Sequence, residues 1–332
     1  MATREEIIEV LNNIILPGDF QSLRDLNAVQ DITINGQQVE VKLAGSAIKD
    51  EIRQWLQERI GKTAGTLPGV TAVSVTFAAT ARDFNKITHI IAVMSGKGGV
   101  GKSLVSGLAA IALRRRGHSV GILDADITGP SIPRMFGLRD RPAYDEAGIV
   151  PLSSSTGIRV MSLNLLLPSE DEAVIWRGPI IGKVITQFWE EVLWGELEYL
   201  IIDLPPGTAD APLTVLQQIP VTGIIIVSSP QELATMIVKK AVKMATVMKK
   251  PIIGVIENMS YLYVPEIDKK IELFGPSRGN ELANSAAAPL LARLPVDTHL
   301  AALCDQGAIE SYQADFVGQL GESLETVTMV KK

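Results

Sequence analysis

The chain has one cysteine, Cys304, in 332 residues. A single cysteine cannot close an intrachain disulfide, and no metal site built from several cysteines can form within one chain. Positive charge is also short. A formal net charge of -6 leaves no general electrostatic footprint for nucleic acid, so no nucleic-acid partner is expected. The only tight basic run, "LRRRGH" at Leu113–His118, reads as the solvated end of a helix, where cations suit the dipole. Long apolar runs are missing as well. Stretches such as "GIIIVSS" fall far short of the ~18 residues of a membrane span. The opening "MATREEIIEV" lacks the apolar core of a signal peptide. Together these absences predict no membrane partner and a cytoplasmic location.

What is present divides the chain in two. Residues 1–82 predict a small α+β domain, and residues 83–332 a larger α/β domain. In the first, "REEIIEVLNNII" has helical spacing, with Ile7, Ile8, Leu11 and Ile15 on one side. "VQDITINGQQVEVKL" alternates apolar and polar residues on both sides of Asn35-Gly36. That pattern predicts a hairpin with a type I′ turn, positive φ at both turn residues. "SAIKDEIRQWLQERIG" predicts a helix capped by Ser46, apolar at Ile48, Ile52, Trp55, Leu56 and Ile60, and stopped by Gly61. "VTAVSVTF" is a further strand, and "AATARDFNK" (Ala78–Lys86) reads as a linker. Beyond it, β-branched runs such as "HIIAVM", "SVGIL", "YLIIDL", "GIIIVSS" and "PIIGVI" alternate with helical segments. Such a pattern predicts a mostly parallel sheet with helices on both faces, and ligands at the carboxyl ends of its strands.

The residues just after those runs carry the chemistry. "GKGGVGKS", Gly96–Ser103, fits G-x-x-x-x-G-K-[ST], follows an apolar strand and opens a helix, as a phosphate-binding loop does. Gly96, Lys97, Gly98, Gly99, Val100 and Gly101 supply inward backbone amides, and the helix N-terminus adds its positive end. Lys102 is placed to neutralise β and γ phosphates, and the Ser103 hydroxyl to ligate Mg²⁺. Lys97 is the second lysine in a loop that needs one. It either reaches outward to a nucleotide in a facing subunit or is a solvated loop lysine. Asp124 and Asp126 end the second strand. Each is either a carboxylate that orients water or contacts Mg²⁺ through water, or a helix-capping residue. The following "TGPSIP" is a loop placed to rearrange when the γ-phosphate leaves. "YLIIDLPPGTAD" presents Asp203 as a Walker B aspartate for the Mg²⁺ shell, and Gly207 either offers its amide as a γ-phosphate sensor or belongs to a plain turn in "PPGT". Asn258 offers a donor and an acceptor to an adenine edge, or forms a turn. Pro295, Val296 and Asp297 form a candidate adenine-side loop.

"SGKGGVGKS" resembles the deviant Walker A of the MinD, ParA, ArsA and nitrogenase-iron-protein class of P-loop ATPases. Within that class, "DADITGPSIPRMFG", "VIWRGPIIGKVITQF", "YLIIDLPPGTAD" and "ENMSY" are similar to the Mrp/ApbC family of iron–sulfur cluster carriers. The similarity covers nearly all of Ile87–Ala314. The first domain resembles, less closely, the SufT-like unit that precedes the ATPase in bacterial members. The resemblance implies a cytoplasmic, Mg²⁺- and ATP-dependent homodimer that hydrolyses ATP slowly and serves iron–sulfur apoprotein or scaffold clients. It implies a trans role for Lys97, catalytic roles for Lys102, Asp126 and Asp203, Mg²⁺ contacts from Ser103, Asp126 and Asp203, and a base contact from Asn258.

The chain departs from that family at the cluster ligands. Members carry C-P-x-C two residues after "NMSY"; here Val264 and Ile267 stand at the cysteine positions around Pro265. Neither side chain has a lone pair to give iron, and soft thiolates are what hold these clusters. Ser46 stands where the first domain often has a cysteine, and Cys304 reads as a lone buried thiol. An ATP-driven switch without the family's four-cysteine cluster is therefore expected. The alternatives are a ParA/MinD-like positioning ATPase and a nucleotide-switched adaptor. The tail "DFVGQLGESLETVTMVKK" has few basic residues and no aromatic-rich face, which argues against membrane attachment of the MinD kind.

Overall fold

The computed structural model describes residues 2–18, 21–45, 48, 50–79, 81–126, 129, 131–145, 147–166, 184–185, 188–207 and 210–329. Internal contacts divide the chain into two compact units, Met1–Asp83 and Phe84–Lys332.

The first unit runs α1 (Arg4–Asn12), β1 (Val29–Asn35), β2 (Gln38–Leu43), α2 (Asp50–Ala64) and β3 (Ala72–Phe77). The order helix, strand, strand, helix, strand is the expected one. Thr3 and Glu6 close a reciprocal capping box at the start of α1, which satisfies two of the helix's free amides. β1 pairs antiparallel with β2, and β2 parallel with β3. Ile7, Leu11, Val41, Leu43, Leu56 and Ile60 form the centre of the unit's core.

Four local expectations are corrected. Ile15 lies outside α1 and is exposed, while Ile14 is buried. Asn35 pairs with Gln38, so the turn is Gly36–Gln37 with positive φ at Gly36 alone, the II′ rather than the I′ pattern. Gly61 does not stop α2, because Ala64 one turn later is still fully buried and holds the helix in register. Trp55 sits at the edge of the buried stripe, 39% exposed. The expected cap Ser46 lies outside the described residues. The segment read as a linker carries a short helix, α3 (Ala81–Phe84), and its last residue, Lys86, already belongs to the next strand.

The second unit is a nine-stranded sheet in the order β13-β12-β11-β4-β10-β5-β9-β8, with β14 also on β12. Its strands are β4 (Lys86–Ser95), β5 (Val120–Asp124), β8 (Leu152–Ser153), β9 (Arg159–Ser162), β10 (Glu196–Asp203), β11 (Gly223–Ser228), β12 (Ile252–Val264), β13 (Lys269–Ile271) and β14 (Leu290–Val296). A separate small hairpin is built from β6 (Ala143–Asp145) and β7 (Gly148–Val150). All pairings in the large sheet are parallel except those of β8 and β13.

The helices are α4 (Lys102–Arg115), α5 (Ile132–Met135), α6 (Asp210–Gln218), α7 (Glu232–Val247), α8 (Gly279–Ala286), α9 (Thr298–Gln306) and α10 (Asp315–Met329). Side chains alternate along each central strand between two cores. Ile91, Val93, Ile122, Ile201 and Ile225 pack on α4 and α10. Ile90, Ala92, Leu123, Ile202 and Ile224 pack against α6, α7 and α8. A strand covered on both faces cannot use a polar side, which is why these segments read as continuous apolar runs.

The basic run at the end of α4 is more than a solvated helix end. Arg114 donates to the Thr156 carbonyl (2.6 Å), Arg115 to the Tyr312 carbonyl (2.5 Å), and Arg116 pairs with Glu325 (2.6 Å).

Candidate nucleotide-binding site

The loop 96–101 leaves the carboxyl end of β4 and turns into α4. Gly99 and Gly101 hold φ of 80° and 76°, and Gly101 caps α4 without any side-chain hydrogen bond. The first amides of α4 are therefore free to take an anion. Gly101 has a second reason to be glycine: a Cβ there would meet the Asn258 Nδ2 at 2.2 Å.

Behind the loop, the ends of two neighbouring strands bring carboxylates together, Asp203 of β10 beside Asp124 of β5. Asp203 is fully buried and accepts from Ser103 Oγ (2.5 Å) and Ser106 Oγ (2.7 Å). Lys102 Nζ lies 2.8 Å from Asp203 Oδ1 and 3.9 Å from Asp126 Oδ2. That ammonium is buried and makes no contact of hydrogen-bond geometry. Unmet buried donors are costly, and they are what an arriving phosphate oxygen would satisfy.

Asp124 has a different part. Its carboxylate accepts from the backbone amides of Asp126 (3.1 Å) and Ile132 (3.2 Å), which ties the end of β5 to the start of α5. Burial, and then the neighbouring Asp203 charge, push it up to about 8. Of the loop "TGPSIP", Thr128 and Pro130 lie outside the described residues, as does nearly all of "VIWRGPIIGKVITQF".

Other expected site residues are placed differently. Lys97 Nζ donates to Gln231 Oε1 at 2.5 Å within the same chain. The Gly207 amide donates to the Ser95 carbonyl (3.0 Å), which holds the turn after β10 against the start of the phosphate loop. Asn258 is almost fully buried and its Nδ2 donates to the Val100 carbonyl at 2.9 Å, so its amide nitrogen braces the loop from behind rather than facing a base. Pro295 belongs to β14. Both carboxylate oxygens of Asp297 are occupied, one capping α9 through the His299 and Leu300 amides, the other accepting from Tyr312 Oη (2.7 Å). The structure thus gathers Lys102, Ser103, Asp126, Asp203 and the loop, with Asn258 beneath it.

Sequence reasoning passed over Ser106, Gln231 and Glu257. Ser106 lies three residues after Ser103, on the same face of a helix, and that spacing could have found it. Glu257 is a carboxylate inside an apolar strand, itself a signal. It is fully buried and accepts from Ser260 Oγ, Ser277 Oγ and the Arg278 amide. Nothing in the sequence ties Gln231 to Lys97.

Among the described residues, no three or more His, Cys, Asp or Glu side chains are arranged to hold a metal ion. Val264 ends β12 and Ile267 is 62% exposed on the turn that follows. The Cys304 thiol, in α9, is pushed up to about 11 by burial and by the Asp305 charge, so it stays protonated at neutral pH. Among the described residues no helix is long and apolar enough to cross a membrane.

A strand, a glycine loop and a helix that opens on Lys102 and Ser103, beside an aspartate ending the neighbouring parallel strand, define a P-loop nucleoside triphosphatase. Comparison with known proteins narrows that class. Residues 86–328 match the family model described as ParA, NUBPL iron-transfer P-loop NTPase, and residues 4–75 match the model of an iron–sulfur cluster assembly protein. The chain belongs to the NUBPL iron-transfer P-loop NTPase family. It is 44% identical over 241 residues to an iron–sulfur cluster carrier protein of Clostridium perfringens, covering 70% of this chain and 84% of that one. It is 36% identical over 321 residues to an iron–sulfur cluster carrier protein of Synechocystis, covering 92% and 91%. Among solved structures it is similar to a nucleotide-binding protein from Archaeoglobus fulgidus in complex with ADP, at 43% identity and a TM-score of 0.64, covering 72% of this chain and 96% of that one.

Proposed function

We propose that this chain is a cytoplasmic iron–sulfur cluster carrier ATPase, in which ATP binding and slow hydrolysis across a homodimer switch the protein between states. The observation that carries the nucleotide site is the buried Lys102 ammonium, at ion-pair distance from Asp203 but without a hydrogen bond, behind a helix start with free amides.

Lys102 takes the β and γ phosphates, and the loop amides surround their oxygens. Ser103 and Asp203, with Asp126, fit a Mg²⁺ shell: all three offer hard oxygen donors, and two of them already converge at 2.5 Å. The ion would add charge neutralisation at the phosphates. Asp126 orients the attacking water. Lys97 acts on the nucleotide of the partner subunit. On the base side, the contacts left open are the Asn258 carbonyl oxygen and the backbone of the Pro295–Asp297 turn.

Iron–sulfur clusters are the cargo in this reading. Val264 and Ile267 cannot ligate one, so the thiolates come from the apoprotein or scaffold client, or from small thiols. The same two residues support a second reading, an adaptor whose nucleotide state governs a partner and which carries no cluster.

Calorimetric titration of Mg-ATP into the full chain and into Lys102→Ala tests the site. The variant should bind at least about a hundredfold more weakly, since it loses the main counter-charge to two phosphates. Equal affinity would remove this loop from the function. Anaerobic incubation with iron, sulfide and a client apoprotein separates the two readings. Transfer that depends on this chain supports the carrier, and its absence supports the adaptor.

A further inference from the structure

Pairing along β12 lapses at one place. On one side β11 stops at Ser228, opposite Glu257. On the other, β14 pairs Arg293 with Glu257 and Pro295 with Tyr261. Between those pairs β12 contributes Asn258, Met259 and Ser260, and β14 only Leu294. The surplus on β12 forms a bulge. Met259, at its centre, has a φ of 57°, a left-handed conformation that a long side chain takes only where its surroundings impose it. Beyond the bulge, Leu262 pairs with Val296 of β14 and with Ile271 of β13, so a β12–β13 hairpin rises past the carboxyl edge of the sheet, the edge that carries the phosphate loop.

The bulge lies against the phosphate loop. Asn258 Nδ2 donates to the Val100 carbonyl (2.9 Å), and a Cβ on Gly101 would stand 2.2 Å from that nitrogen and 3.9 Å from the Met259 methyl. The carboxylate of Glu257 holds the bulge in shape. Ser260 Oγ, three residues on, donates to Oε2 at 2.5 Å and closes the bulge across its mouth. Arg293 Nε, from β14, donates to the same Ser260 Oγ (2.8 Å) and lies 3.5 Å from Oε2. Ser277 Oγ (2.6 Å) and the Arg278 amide (2.8 Å) reach the carboxylate from the segment before α8. Glu257 is fully buried, and a buried charge is costly unless it is paired and hydrogen-bonded. These partners meet that condition and leave the carboxylate a single arrangement.

We propose that Glu257 is a positioning residue of the nucleotide site. Its carboxylate staples the bulge, the bulge holds Asn258 under Val100, and the phosphate loop is thereby shaped before a nucleotide arrives. A loop that is correctly formed only part of the time binds more weakly by that fraction. Glu257 itself points away from the loop. Consecutive strand residues face opposite sides of a sheet: Asn258 meets the loop at the start of α4, while Glu257 lies toward Gly279 of α8, where a Cβ would stand 3.6 Å from its own. The competing account is that Glu257 merely anchors the start of α8 through Ser277 and Arg278. Ser260 separates the two, because it belongs to the bulge and not to α8. The inference rests on this loop being the phosphate site, as read above.

Calorimetric titration of Mg-ATP, and of Mg-tripolyphosphate, which has no base, into the full chain and its variants tests this. Ser260→Ala should weaken both ligands about fivefold and Glu257→Ala at least about tenfold. Glu257→Gln keeps an oxygen for the Arg278 amide and should fall between the unchanged chain and Glu257→Ala. Ser277→Ala touches the same carboxylate from the α8 side and should leave both affinities within about twofold. In an Asn258→Ala background, Ser260→Ala should weaken tripolyphosphate no further, since residues that act through one another are not additive. If Glu257→Ala does not fold, the two serine variants carry the test. Equal losses for Ser260→Ala and Ser277→Ala, full additivity with Asn258→Ala, or a loss for Mg-ATP without one for tripolyphosphate overturns the proposal. A chain whose Mg-ATP binding needs Lys102 but ignores Ser260 and Glu257 loses this inference and keeps its nucleotide site. Equal affinity in Lys102→Ala removes the site, and this inference with it.

Discussion

The phosphate loop and the β12–β13 hairpin rise from the same edge of one sheet, and they differ in what holds them. The loop is pinned from every side: by Asn258 under Val100, by Gly207 on Ser95 and by Asp203 against Lys102 and Ser103. The hairpin is tied down at its base through Glu257 and Arg293, and carries exposed apolar side chains toward its tip. A site that must meet developing charge needs donors fixed in advance. A surface that must meet another chain needs accessible side chains. The hairpin ends β12 on Val264 and presents Ile267, 62% exposed, on the turn that follows.

The contrast can be broken at four points. Lys97→Ala should leave Mg-ATP affinity within a few-fold and cut turnover by about 10³, the range for a charge delivered in trans. Parallel calorimetry and phosphate-release assays check this, and equal loss of both would place Lys97 in its own subunit's site. Val264→Cys/Ile267→Cys should turn the hairpin into a metal-binding element. Anaerobic reconstitution should give about four irons per dimer with a thiolate-to-iron absorption band, where the unchanged chain gives none. Asn258→Ala should cost about 1–3 kcal/mol in denaturant unfolding, because it strands the buried Val100 carbonyl.

An effect of similar size concerns pH. Asp124, pushed up to about 8, keeps a proton between about pH 4 and 8 that the unfolded chain has lost. The folded state then binds more protons than the unfolded one, so stability falls as pH rises through that window. Asp124→Asn keeps an oxygen for the amides of Asp126 and Ile132 and should flatten this slope by at most about 1 kcal/mol per pH unit. Denaturation midpoints at about pH 5 and pH 8 measure it.

Much of the site was legible in the sequence because phosphate binding is a local device. Eight consecutive residues, Gly96–Ser103, set the turn, the helix start and the lysine, and β10 announces Asp203 by four apolar positions before it. What was not legible depends on contacts made across the fold. Asn258 meets Val100 from 158 positions away, and Lys97 meets Gln231 from 134. No spacing rule reaches so far. Asp297, read as part of an adenine-side loop, has a partner in Tyr312, fifteen residues later. The fold shows the same division. The covered strands β4, β10 and β11 declared themselves through unbroken apolar runs, whereas the end of α2 was decided by the burial of Ala64 rather than by Gly61.

The three arginines closing α4 give that helix a mechanical character. One end of α4 is the phosphate cradle itself, beginning at Lys102. The other, about 21 Å away at 1.5 Å per residue, is bolted by Arg114, Arg115 and Arg116 to three segments distant in sequence, those holding Thr156, Tyr312 and Glu325. A rod anchored in this way has little slack along its axis. The helix that opens on Lys102 is thereby tied directly to the carboxyl-terminal helix α10, where Glu325 sits.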